Sequence, residues 1–127
     1  PTADENLGEL LVMNIPEGNI KWRYRQRAPI NTAALTTGGG LVFVGDWNRY
    51  YYALDAETGD KLWQTRVTTS AQGFPMSYEV DGRQYIAMPA GVGGASWSGM
   101  LPRDLAPELN RPRHGNSIHV FALPKTQ

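Results

Sequence analysis

The run Asp55-Ala56-Glu57-Thr58-Gly59-Asp60-Lys61-Leu62-Trp63 constrains this chain more than any other stretch. It reads as a strand end, a tight turn and a second strand that closes on a large aromatic. A weaker copy lies upstream, Asn14-Ile15-Pro16-Glu17-Gly18-Asn19-Ile20-Lys21-Trp22. Trp22 and Trp63 stand 41 residues apart, and so do Gly18 and Gly59. Short strands and a glycine turn that recur at roughly 40 to 45 residues are the pattern of a β-propeller blade. Each turn residue has its own task. Asp55 can accept hydrogen bonds from backbone N–H groups two residues on. Gly59 can take the left-handed conformation that ends the turn. Trp63 can fill the gap between adjacent blades and offer its indole N–H to a carbonyl.

The rest of the chain follows the same rhythm. Gly8 to Ile15 reads as a strand, and Ile20, Trp22 and Tyr24 alternate with Lys21, Arg23 and Arg25 in the next one. The four cations Lys21, Arg23, Arg25 and Arg27 share one strand face. That face is either a solvated outer surface or a docking patch. Ala33 to Thr37, Leu41 to Gly45, Tyr50 to Leu54 and Lys61 to Val67 make four strands of one unit. Phe74 to Val80, the hairpin pair Asp81-Gly82, and Arg83 to Met88 open another. Ser117 to Pro124 closes it, since Phe121-Ala122-Leu123 echoes Tyr52-Ala53-Leu54. The expected organisation is all-β. It has two last strands of a blade in 1–27 and a complete four-stranded blade in 28–69. A three-stranded final blade follows in 70–127, interrupted by a long irregular loop over 90–116. One blade has no core of its own, so stability must come from stacking.

Composition narrows the function. Twelve basic and twelve acidic side chains cancel, which gives no reason to expect a nucleic-acid partner. There are no cysteines, which rules out disulfides, thiolate metal sites and cysteine nucleophiles. No run approaches the roughly 18 apolar residues of a membrane-spanning helix. No signal peptide is visible and Pro1 starts in mid-pattern, so a segment upstream is expected.

With its flanks, the repeat is similar to a known family. Ala53 to Trp63 resembles the tryptophan-docking motif of quinoprotein, PQQ-dependent alcohol dehydrogenases of the methanol and ethanol dehydrogenase type. Thr36 to Asp46, Phe74 to Tyr78, Val80 to Ala87, Gly91-Val92-Gly93-Gly94 and Val120 to Pro124 resemble the family's closing segments in order. The resemblance implies a partial β-propeller, the last blades of an eight-bladed quinoprotein ring. It implies pyrroloquinoline quinone (PQQ), with Ca²⁺ or a lanthanide held by residues outside this chain. It also implies a small alcohol as substrate, cytochrome c or a quinone as electron acceptor, a periplasmic location and the upstream remainder of the same propeller as partner. The family's catalytic base and metal ligands have no counterpart positions here, so no catalytic or metal-binding residue is assigned and the chain alone is expected to be inactive. Three positions are assigned by the resemblance to the neighbourhood of the cofactor: Asn31, Gly94 and Ala95. Methanol dehydrogenases carry Trp at the positions of Asn31 and Ala95, so the chain departs from the family at both. Asn31 can hydrogen-bond a quinone oxygen or carboxylate, or merely satisfy loop backbone.

Other chemistry is weaker. His114 and His119 lack zinc-ligand spacing and context. Asp104 and Glu108 sit in a Pro-rich loop, and Ser96 and Ser98 have no nucleophile-elbow pattern. Gly38-Gly39-Gly40 is followed by no Lys-Ser/Thr pair and is no phosphate loop. Trp47 and Tyr50-Tyr51-Tyr52 read as blade packing, with Tyr51 facing opposite to its neighbours. The 92–116 stretch either lines a site or is a surface excursion. A non-enzymatic propeller scaffold and a degenerate relative without cofactor remain open beside the dehydrogenase reading.

Overall fold

A computed structural model describes residues 5–91, 105–109, 112 and 114–124. Within them the chain forms nine strands in three antiparallel sheets. Strands β1 (Gly8–Asn14) and β2 (Asn19–Gln26) pair as a two-stranded sheet. Strands β3 (Leu35–Thr36), β4 (Leu41–Gly45), β5 (Tyr50–Asp55) and β6 (Lys61–Arg66) make a four-stranded sheet in sequence order. Strands β7 (Met76–Val80), β8 (Arg83–Ala90) and β9 (Ser117–Ala122) make the third. The β7–β8 hairpin turns on Asp81 and Gly82, both at positive φ (51° and 70°), as a two-residue primed turn requires.

The central strands of the middle sheet, β4 and β5, are buried on both faces because they are apolar at nearly every position. On one face Val42, Val44, Tyr52 and Leu54 meet Trp22, with Leu10, Val12 and Tyr24 packed beside them. On the other face Phe43, Tyr51 and Ala53 meet Ile86, Met88 and Ala90, with Phe121 against the cluster. The strand pleat sends alternate residues to opposite faces, so adjacent Tyr51 and Tyr52 serve different seams. Tyr51 donates its hydroxyl to Pro89 O at 2.5 Å and ties the middle sheet to the third. The flanking sheets are buried on one face each. The far face of the third sheet leaves Met76, Tyr78, Val80, Ile118 and Val120 exposed.

The first seam closes on the repeated motif. The Trp22 indole donates to Ala56 O at 2.9 Å, in the turn that joins β5 to β6. That turn is built by Asp55, whose Oδ1 accepts from Glu57 N at 2.7 Å and Thr58 N at 3.0 Å. Those two N–H groups hold the Asp55 carboxyl below the usual carboxylate range. Gly59 has φ +80° and lies directly under the Trp22 ring. Trp63, the corresponding residue of the second seam, behaves differently. It meets Phe121 edge-on at 5.2 Å between centroids and stays 37% exposed, against 8% for Trp22. The upstream copy thus performs the inter-sheet task that the sequence assigns to Trp63. The contact is local: the turn Asp55–Gly59 follows β5 and receives Trp22, whereas among the described residues Leu123 and Pro124 after β9 lie beside Trp63.

The cation row is paired with acids rather than left open. Lys21 meets Glu57 at 2.5 Å, and Arg23 and Arg25 share Glu9 at 3.5 and 2.6 Å. Arg25 and its neighbour Arg23 hold Glu9 below its ordinary range. These exposed pairs belong to a solvated outer face and contribute little each.

The first seam yields a sharp test. A Cβ at Gly59 would stand 2.8 Å from two Trp22 ring carbons, Cδ2 and Cε3. Gly59→Ala should cost about 2 kcal/mol or more in chemical denaturation, from the left-handed backbone and the clash together. Trp22→Phe should recover part of that loss when combined with it. Additive costs for the two substitutions would show that ring and glycine do not touch in solution.

Candidate functional site

Among the described residues, the β2–β3, β4–β5 and β6–β7 connections converge at one end of the sheets, and Asn31 lies among them. The β2–β3 connection is held by Trp47 N donating to Pro29 O at 2.9 Å and Asn31 N to Gly45 O at 2.9 Å. It also pairs with the β6–β7 connection, where Ala33 N donates to Gly73 O at 3.0 Å. That connection reaches onward to the third sheet, with Gln72 N donating to Pro89 O at 3.2 Å and Gly91 N to Ser70 O at 3.0 Å. Each connection thus uses the next one's carbonyls, as backbone removed from water must. Close approach demands small residues here. A Cβ on Gly45 would lie 2.4 Å from the Ala71 Cβ and 2.6 Å from the Tyr51 ring.

Asn31 is half-buried in this loop face. Its Nδ2 donates to Ala71 O at 3.1 Å. An amide side chain carries two N–H donors and an acceptor oxygen. The second N–H and Oδ1 have no partner among the described residues. Gly94 and Ala95 lie outside the described residues, as do Ser96, Ser98 and Asp104.

Other candidates resolve into structural roles. His119 Nε2 lies 3.0 Å from Ser117 Oγ and 3.3 Å from Thr68 Oγ1. Thr68 and Ser117 both donate to Gly115 O, at 2.7 and 3.1 Å, so the cluster pins the start of β9 to the β6–β7 connection. Glu108 pairs with Arg27 at 2.6 Å. Among the described residues, no three His, Asp or Glu side chains stand close enough to hold a metal.

Asp46, to which the sequence assigns no role of its own, is a buried hub. It is 1% exposed and sits where the first sheet meets the middle one. Its Oδ1 accepts from Tyr50 N at 2.9 Å. Its Oδ2 accepts from the Tyr52 hydroxyl and from Gln26 Nε2, the latter at 3.2 Å. Gln26 is oriented in turn by Tyr24, whose hydroxyl donates to its Oε1 at 3.1 Å. Burial raises the Asp46 carboxyl above its usual range, and the donated hydrogen bonds offset only part of that rise. Burial and the bond to Asp46 likewise push the Tyr52 phenol upward. A carboxyl with a raised folded-state pKa contributes stability below the unfolded value and loses it as pH rises through the folded value. The stability gap between wild type and Asp46→Asn should therefore shrink as pH rises above about 4 in thermal melts. A gap that widens with pH would reverse this assignment.

The arrangement offers a polar side chain at the meeting point of stacked sheets. Residues 5–86 match the PQQ family of glucose/ethanol/alcohol dehydrogenases, β-propeller domain. The chain is 36% identical to the quinoprotein ethanol dehydrogenase of Pseudomonas aeruginosa over 124 residues, covering 95% of this chain and 19% of that protein. It is 41% identical to methanol dehydrogenase [cytochrome c] subunit 1 of Methylobacterium organophilum over 133 residues, covering 94% of this chain and 21% of that one. Among solved structures, a europium-containing methanol dehydrogenase superposes with a TM-score of 0.69 at 28% identity, covering 84% of this chain and 22% of that one. The chain thus spans about a fifth of the length of the curated relatives it matches. Three antiparallel sheets stacked face to face, with this match, make a partial β-propeller: the chain belongs to the β-propeller domain family of PQQ-dependent alcohol dehydrogenases.

Proposed function

We propose that this chain supplies the closing blades of a PQQ-dependent alcohol dehydrogenase and contributes to the cofactor pocket and its rim. The observation that carries the reading is Asn31. It is fixed at the convergence of the loops by its bond to Ala71 O, and its second N–H, without a partner among the described residues, is placed to serve an incoming acceptor. A quinone oxygen or a quinone carboxylate needs such a donor, so the residue fits the group. The bound quinone would supply the oxidant for the alcohol. This chain's part is to orient it from one side, with Gly94 and Ala95 assigned to the same pocket by family resemblance. The metal, Ca²⁺ or a lanthanide, would be held by residues outside this chain.

The sheets support the same reading. The apolar residues Met76, Tyr78, Val80, Ile118 and Val120 form a face suited to a further blade. In this reading 1–27 closes one blade, 28–69 is a complete blade and 70–127 is the last. Trp22 on the Asp55–Gly59 turn is then the docking contact between blades. The remainder of the propeller, a cytochrome c or quinone acceptor, a small alcohol and a periplasmic setting complete the proposal.

The test uses the assembled protein loaded with PQQ and Ca²⁺ or a lanthanide. Asn31→Ala should weaken quinone retention roughly tenfold, the value of one hydrogen bond to a charged or polarised acceptor. Quinone absorbance after gel filtration gives the readout. Unchanged retention removes Asn31 from the pocket. Failure of the wild type to retain quinone, with no alcohol-dependent reduction of an artificial acceptor, overturns the dehydrogenase reading in favour of a scaffold.

A further inference from the structure

Two sequence features whose meeting the proposed function does not use come together in the structure. One is the last cation of the strand row, Arg27. The other is the long connection between β8 and β9. Arg27 uses all three guanidinium nitrogens. Its Nε donates to Glu108 Oε1 at 2.6 Å, one terminal nitrogen to Glu5 O at 2.6 Å and the other to Leu105 O at 2.7 Å. The segment 105–109 belongs to the third sheet's connection, yet it is bound to the first sheet, on the opposite side of the middle one. Ala106 is fully buried at this crossing.

The same connection is fastened again on its way back. Thr69 Oγ1 donates to Pro112 O at 2.9 Å and Thr68 Oγ1 to Gly115 O at 2.7 Å. Thr68 and Thr69 lie in the β6–β7 connection, two or three residues before Ala71. Ala71 O is the acceptor for Asn31. Asn31 lies four residues from Arg27 in the β2–β3 connection. The bonds therefore link, in turn, Arg27 with Leu105 and Glu108, Pro112 and Gly115 with the β6–β7 connection, and that connection with Asn31, four residues along the chain from Arg27.

We propose that Arg27 is a positioning residue for the loop face. It locks the crossing segment to the first sheet, and these linked bonds set where the remaining Asn31 N–H points. This rests on the cofactor reading of Asn31. The geometry calls for arginine specifically. Its planar fork serves three acceptors in fixed directions, whereas a lysine ammonium presents its donors from one nitrogen. The two carbonyl bonds matter more than the ion pair, because the Arg27 and Glu108 side chains are 38% and 52% exposed.

The experiment compares wild type, Arg27→Lys and Glu108→Gln in the assembled full-length protein. Hydrogen exchange is followed in peptides covering 105–109 and 68–71, without cofactor. Quinone retention and the KM and kcat for alcohol are measured after loading. Arg27→Lys should raise exchange in both segments about tenfold while β4 and β5 stay protected. It should also weaken quinone retention. Glu108→Gln should raise exchange by no more than about threefold. Unchanged exchange in Arg27→Lys overturns the lock, and so does an equal effect of Glu108→Gln. Raised exchange with unaltered quinone retention overturns the positioning role. A wild type that retains no quinone defeats the cofactor reading instead, and the exchange comparison still decides the lock.

Discussion

The structure depends on the middle sheet being finished from both sides. Its central strands β4 and β5 are apolar at nearly every position, so neither face can meet water. A sheet of this kind has no stable state alone. One face is completed by Trp22 and its neighbours, the other by Ile86, Met88 and Phe121. The pairing of Tyr51 and Tyr52 expresses this in two adjacent residues. Each sends its ring to a different seam, and each uses its hydroxyl there, on Pro89 O and on Asp46. The stacking direction of the sheets follows from the pleat of one strand.

Where sequence and structure agree, the signal was local. The alternation in β2, the Asp81-Gly82 hairpin and the Asp55–Gly59 turn each depend on a few consecutive residues. The strand Leu41–Gly45 has the expected ends. Burial on both faces was also readable, since an apolar run without alternation has no solvent side. The repeat was legible because two tryptophans and two glycines kept one spacing. Its assignment to seams was less so. Trp22 sits in the weaker copy and Trp63 in the stronger one, but their burial is decided by which turn lies opposite, and that turn belongs to another sheet.

The features that sequence reading passed over all join distant segments. Asp46 follows a strand and precedes a turn, which is the ordinary place for an exposed aspartate. Only the arrival of Gln26 from the first sheet and Tyr52 from the next strand makes it a buried hub. A carboxylate flanked by Trp47 and the Tyr50-Tyr51-Tyr52 run was the one available hint. Arg27 reads from the sequence as the fourth member of a row that is either a solvated face or a docking patch. Three of the four cations do occupy that face; the fourth lies past the end of β2, where the strand period no longer fixes its direction. Its partners are 22, 78 and 81 residues away in sequence, beyond any local pattern.

The two ends of the stack divide the work. At one end, short turns such as Asp55–Gly59 are shaped by their own side chains and receive a neighbour's tryptophan. They can form before the sheets meet. At the other end, the connections satisfy one another's backbone groups, from Pro29 with Trp47 to Ser70 with Gly91. Several of these contacts join one sheet's connections to another's, as Gln72 with Pro89 and Ser70 with Gly91 do. Asn31 stands at this second end, so its placement is a consequence of the stack and not of its own loop. Any chemistry proposed for it inherits its precision from two apolar seams and the bonds that cross them. A substitution deep in a seam can therefore move the Asn31 amide without touching it, which is why exchange and cofactor retention have to be read together.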